Sequence, residues 1–241
     1  MQLLNSLLLL AAATASPLLT RRDTCPRVQS CTQTVDSCCS PKMGSVVLAL
    51  QWVSGLGPSN QWTIHGLWPN NCDGSYGPAN GCDATRNYSN MADIVAADPT
   101  LQSKMNTYWA SYNGNNPDFW SHEWNKHGTC VSTIDPKCYT NYTPQQEVRD
   151  YFNKVLELRD QYDLYPILAK QGITPGRTYT RDQIQTAFKN GLGANVYLSC
   201  KSKALQEVRV YFSVTGTSDY SVANTTPAGN CPATGIQYAP K

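Results

Sequence analysis

Phe119-Trp120-Ser121-His122-Glu123-Trp124-Asn125-Lys126-His127-Gly128-Thr129-Cys130 is the stretch around which the 241-residue chain can be read. It holds two of the three histidines in the chain. The third, His65, stands in Trp62-Thr63-Ile64-His65-Gly66-Leu67-Trp68-Pro69. Asp118, after Pro117, offers an N-cap, and no Gly or Pro interrupts residues 119–126, so the pattern predicts a short helix stopped by Gly128. Cys130 then ties down its end. Residues four apart share a helix face, which pairs Glu123 with His127 and His122 with Lys126. The stretch thus gathers a carboxylate, an ammonium and two imidazoles. Imidazole alone among unperturbed side chains trades protons near neutral pH, so the cluster points to acid–base chemistry.

Two other readings compete for it. Glu123 and His127 can be a surface helix pair contributing a few tenths of a kcal/mol. The zinc motif His-Glu-x-x-His needs its histidines four apart. Here they are five apart, about 140° around a helix, and they diverge. No metal or other cofactor is expected.

Composition narrows the class. Apolar residues make up 41% and charged residues 15%, which favours one sizeable folded domain over a disordered chain. Residues 1–15 carry an apolar run and an Ala-x-Ala pattern, which predict a signal peptide. The run is too short to span a bilayer, and no membrane association is expected. Residues 16–22 end in Arg21-Arg22 and read as a pro-segment, leaving residues 23–241 as one domain that starts near Asp23. Removing both arginines takes Lys+Arg from 19 to 17, equal to the 17 Asp+Glu. A neutral chain lacks the broad basic surface that grips duplex nucleic acid by counterion release, but it leaves room for a local nucleotide site. Ten cysteines point to an oxidising compartment and a disulfide framework. Adjacent Cys38 and Cys39 are expected to bond to different partners. Sequons at Asn87, Asn141 and Asn224 fit a secreted glycoprotein, destined for the extracellular space or a vacuole.

Along the chain, residues 46–53 and 63–68 read as strands and residues 70–82 as a loop. Residues 91–112 form two helical pieces broken at Pro99. Thr143, with Pro144 at N1 and Gln146 at N3, opens a helix to about Arg159. Residues 162–170 are helical. Thr180 and Gln183 form a capping box for a helix ending at Gly191. Residues 196–200 and 205–215 are strands. Helices and strands do not strictly alternate, so the fold class is α+β with a central, mainly antiparallel sheet flanked by helices.

Residues 62–69 followed by residues 119–130 resemble the two active-site segments of the ribonuclease T2 family, and the likeness to its fungal secreted members extends over most of residues 25–231. The resemblance implies an α+β domain that cleaves single-stranded RNA without a metal, through a 2′,3′-cyclic phosphate and then to a 3′-phosphate. It implies His127 as base, His65 as acid, Lys126 and Glu123 as stabilisers of the transition state, and His122 as a phosphate ligand. Trp68 and Tyr76 match the residues that sandwich one base. Gln51, Asn113 and Phe119 match the second base pocket. Asn70 departs from some fungal relatives, which carry Asp there; an amide donates as well as accepts, and relaxed base preference is expected. The resemblance also implies the bridges Cys25–Cys39, Cys31–Cys72, Cys38–Cys138, Cys82–Cys130 and Cys200–Cys231. A monomer is expected. The rival class is a secreted binding protein that needs no turnover; such a protein could lose His65 or His127, and this chain keeps both.

Overall fold

In the computed structural model, which describes residues 25–224 and 229–241, the apolar run near residue 46 becomes β1 (Ser45–Gln51) at the middle of the sheet. The expected signal peptide, pro-segment and start near Asp23 lie outside the described residues. Beside β1 run β2 (Thr63–Asn70) and β5 (Ala204–Thr215), both antiparallel to it. Along the other side of β5 lie β4 (Tyr197–Lys201) and β6 (Asp219–Ala223), again antiparallel. Two three-residue strands, β3 (Arg177–Tyr179) and β7 (Ile236–Tyr238), complete a seven-stranded sheet. The β5–β7 contact at Ala204 and Gln237 is parallel, so the sheet is mixed. β3 and β7 are too short for alternation to announce them in the sequence, and β6, with every residue exposed or half-buried, lacks a buried apolar face.

Strand alternation divides the sheet into two unlike faces. Val46, Leu48 and Leu50 of β1 and Val208, Val210, Phe212 and Val214 of β5 enter the core. So do Ile64 and Leu67 of β2, although they are three positions apart. The pairing with β1 explains this: Leu50 faces Ile64 and Ala49 faces Gly66, so His65 is the extra residue of a β-bulge. A bulge re-aims a side chain and terminates strict alternation. His65, Gly66 and Trp68 of β2, with Glu207 and Arg209 of β5, are left to build the opposite face. The core face is covered by α4 (Gln146–Gln161) through Val148, Tyr151, Phe152 and Val155, and by α1 (Met91–Ala96) and α2 (Pro99–Tyr108).

Three helix boundaries differ from the pattern-based reading. α3 spans Asn116–Lys126 and is capped by Asn115, whose side chain accepts from the Asp118 N–H. Pro117 sits inside the first turn, where its missing N–H is not needed, so Asp118 is a first-turn carboxylate and not the cap. α4 starts at Gln146 and not after Thr143: Gln145 takes a left-handed conformation and donates its N–H to the Tyr142 hydroxyl. After α5 (Leu164–Lys170), α6 (Arg181–Leu192) opens on the Thr180–Gln183 capping box but runs through Gly191 to stop at left-handed Gly193. A Cβ on Gly191 would meet Ile167 at 2.4 Å, so that glycine serves close α5–α6 packing.

Disulfides join Cys25–Cys39, Cys31–Cys72, Cys38–Cys138, Cys82–Cys130 and Cys200–Cys231, with Cα atoms 4.9–5.3 Å apart. Cys82–Cys130 links the loop after β2 to the turn that ends α3. No helix among the described residues is long and apolar enough to cross a membrane. Asn87, Asn141 and Asn224 are all exposed.

Candidate active site

β2 lies at the edge of the sheet, and α3 aims Glu123 at its polar face. A Cβ on Gly66 would lie 2.0 Å from Glu123 Oε2 and 2.5 Å from Trp68 Nε1. Only the bare glycine lets the carboxyl seat itself against the strand. There the Trp68 indole N–H donates to Glu123 Oε2 at 3.0 Å, and His65 Nε2 stands 3.9 Å from Glu123 Oε1. The Trp68 ring touches both catalytic candidates: its centroid is 5.0 Å from that of His65 and 5.5 Å from that of His127. His122 lies next to His127, with ring centroids 6.5 Å apart. Gly128 lets α3 end directly after His127, since a Cβ there would strike the Trp124 ring at 2.3 Å. The bulge carbonyl of His65 is pinned from below by the Trp109 indole N–H at 3.0 Å.

The surroundings push the titrating groups apart. Burial, reinforced by the charges of Lys126 and His122, holds His127 down at about 3. It is therefore neutral over most of the pH range and ready to accept a proton. For His65, burial works against the charged ring, but the hydrogen bond to Glu207 and the carboxylates of Glu123 and Glu207 outweigh it and raise its pKa. Burial lifts Glu123, 1% exposed, to about 7 against the opposing pull of His65, Trp68 and Lys126. In mildly acid solution Glu123 is then a neutral hydrogen-bond donor. His122 is lowered by burial and by Lys126, so it carries a charge only in acid or with an anion beside it. One imidazole is set to take a proton and another to give one, which is the arrangement acid–base catalysis requires.

The other sequence-derived residues fall into two groups. Gln51, Asn113 and Phe119 line one cleft of about 240 Å³ together with His65, Ser111 and Tyr112. Phe119 also lies within 5.9 Å of the His65 ring. Trp68 and Tyr76 do not touch: no ring contact joins them among the described residues, and Tyr76 is 79% exposed at the end of a turn held by Asn71, Asp73 and Ser75. Asn70 is buried at the end of β2, opposite Ser45. Lys126 is half-buried, one residue from His127.

Two residues of this face were not picked out from the sequence. Glu207 Oε2 lies 2.6 Å from His65 Nδ1, and Glu207 Oε1 accepts from Arg209 Nε at 2.7 Å. The Arg209 guanidinium lies over the Trp68 ring at 5.1 Å and the Tyr197 ring at 4.8 Å. Their only signal in the sequence is two charges interleaved with the valines of a strand. No group of three or more His, Cys, Asp or Glu side chains among the described residues is arranged to hold a metal ion.

A carboxyl and two imidazoles of unlike proton affinity, beside aromatic rings on the edge of an α+β sheet, suit an enzyme of the acid–base class. A profile of the ribonuclease T2 family matches residues 27–224. Ribonuclease Rh of Rhizopus niveus is 47% identical over 81% of this chain and 83% of its own length. Ribonuclease T2 of Aspergillus oryzae is 43% identical over 88% of this chain and 80% of its own. Among solved structures, Actibind, a T2 ribonuclease, superposes with a TM-score of 0.85 at 41% identity, covering 89% of this chain and 96% of that one. The chain belongs to the ribonuclease T2 family and is an enzyme of that type.

Proposed function

We propose that this ribonuclease is a metal-independent endonuclease of single-stranded RNA that works in two steps. In the first, His127 takes the 2′-OH proton, O2′ attacks phosphorus, and His65 Nε2 protonates the departing 5′-oxygen. A 2′,3′-cyclic phosphate results. In the second, the roles reverse: His65 takes a proton from water, the water oxygen attacks phosphorus, and His127 returns a proton to O2′, leaving a 3′-phosphate. Lys126 supplies a positive charge to the phosphoryl oxygens and protonated Glu123 a hydrogen bond, at the moment negative charge accumulates there. His122, charged once an anion is bound, adds a phosphate contact. The observation that carries the reading is the meeting of His65 and His127, from distant parts of the chain, at one Trp68 ring, 5.0 and 5.5 Å away, with the Glu123 carboxyl 3.9 Å from His65 Nε2; the lowered His127 and raised His65 agree with it.

The aromatic surfaces fit the substrate. Trp68 and the exposed Tyr76 take one base between them, and stacking contributes about 1–3 kcal/mol per base. The cleft of Gln51, Asn113 and Phe119 takes the other. Stacking is tolerant of base identity, and the Asn70 amide both donates and accepts, so specificity is relaxed. Five disulfides, three exposed sequons and the apolar N-terminal run support secretion as a glycoprotein. His65→Phe and His127→Phe variants test the assignment on a dinucleoside monophosphate. Each is expected to lose cleavage while keeping the native circular dichroism. Near-normal turnover in either variant refutes it.

A further inference from the structure

We infer that Glu207, clamped by Arg209, is a positioning residue for His65, holding its Nδ1–H so that the proton on Nε2 faces the scissile phosphate. This rests on His65 acting as the acid in the reading above. The geometry is specific. His65 and Glu207 belong to β2 and β5, which are separated by β1, so their backbones stand two strand spacings apart, roughly 9.5 Å. Two side chains must reach toward each other across β1 to meet. Two β1 residues on the face away from Leu48 and Leu50 leave room: Ala49, paired with Gly66 and Arg209, presents only a methyl, and Gln51, paired with Glu207, turns its amide to the Ile64 carbonyl. The bulge supplies the second half by turning His65 onto that face.

The carboxylate cannot easily do anything else. One oxygen is taken by His65 and the other by Arg209, and the side chain is only 12% exposed. Arg209 is itself fixed between two aromatic rings. The charged groups facing His65 are thus Glu207 and Arg209 from the sheet and Glu123 from α3, with His122 and His127 close enough to feel its charge. A carboxylate on Nδ1 fixes the ring orientation and tautomer, as orienting acids do for catalytic imidazoles. Proton flow then balances: the P–O5′ bond breaks, O5′ takes the Nε2 proton, and His65 remains as the Nδ1–H tautomer on Glu207. Its bare Nε2 accepts a proton from water when the cyclic phosphate opens.

Glu207→Gln separates this role from plain packing. The variant should lose about tenfold or more in kcat on a dinucleoside monophosphate, part of the roughly 10²–10⁴-fold that a general acid supplies, and its alkaline limb should move to lower pH. The loss should shrink severalfold on a nucleoside 3′-(4-nitrophenyl phosphate), whose leaving group needs no proton. Glu207→Asp should recover part of the activity. Equal losses on both substrates with an unmoved alkaline limb, or no loss on either, overturn the inference. In the unmutated protein, imidazole NMR should find His65 titrating highest of the three histidines; titration below that of a free histidine overturns it independently of variant folding. An active His65→Phe enzyme would instead bring down the parent reading, so the two failures are distinguishable.

Discussion

Replacing Glu123 by Gln should make the protein more stable in alkaline solution while making it a poorer enzyme. The Glu123 carboxyl is 1% exposed and titrates near 7 when folded, against 4.5 ordinarily. Its pKa is raised, so the folded state holds the proton more tightly than the unfolded chain. That contribution is fully present below about pH 4.5 and is lost as pH rises through about 7. Rising from 4.5 to about 7 is worth about 3 kcal/mol of stability. Gln keeps the shape and an oxygen for the Trp68 indole, and it cannot ionise. Urea unfolding of both proteins, disulfides intact, at pH 4 and pH 9 gives the comparison. The parent should lose about 3 kcal/mol more than the variant between the two pH values. Because His65 and Glu123 interact, some of this difference belongs to the pair. Cleavage should fall because a transition-state donor is gone. An identical pH dependence of stability in the two proteins would refute the buried, proton-retaining carboxyl.

Two further outcomes follow from the same geometry. The transesterification rate should be high in mildly acid solution, fall above about pH 7 as Glu123 loses its proton, and fall further where His65, its pKa raised, loses its own. The acid limb of kcat/KM should lie near pH 3, set by His127, and that of kcat higher, because a bound phosphate anion favours the charged imidazole; a rate that climbs steadily through pH 9 would contradict both. Gly66→Ala should cost about 10²-fold in kcat, since a Cβ 2.0 Å from Glu123 Oε2 must displace the carboxyl. Steady-state kinetics at constant pH checks it, and an unaffected variant would mean that Glu123 does not matter where it sits.

Much of this site is readable from local sequence because helix spacing is local. Glu123, Lys126 and His127 come from one turn, but the expected Glu123–His127 pair gives way to Glu123 contacts with Trp68 and His65, because His127 is the cap that ends α3 and leaves the helical spacing. The cleft residues Gln51, Asn113 and Phe119 lie far apart in the chain, and only the family resemblance groups them beforehand. Glu207 and Arg209 are a different matter. In β5 they look like the solvent side of an alternating strand, and their partner His65 lies 142 residues away across an intervening strand. Nothing short of the sheet register places them together. The bulge at His65 left one faint trace, two core residues three apart in a strand. Helix starts proved less legible than helix bodies: Asn115 and Asp118 are both good caps, and only the position of Pro117 in the first turn decides between them. Gly191 and Gly193 pose the same problem at the end of α6, settled by Ile167 from a neighbouring helix.

In the proposed reaction two imidazoles of opposite proton bias exchange roles around one phosphodiester, with no metal taking part. Phosphorus NMR of a dinucleoside monophosphate digested in excess EDTA tests it most directly. A 2′,3′-cyclic phosphate resonance should rise first and decay into a 3′-phosphate. A 5′-phosphate product, or a reaction that stops in EDTA, would contradict it.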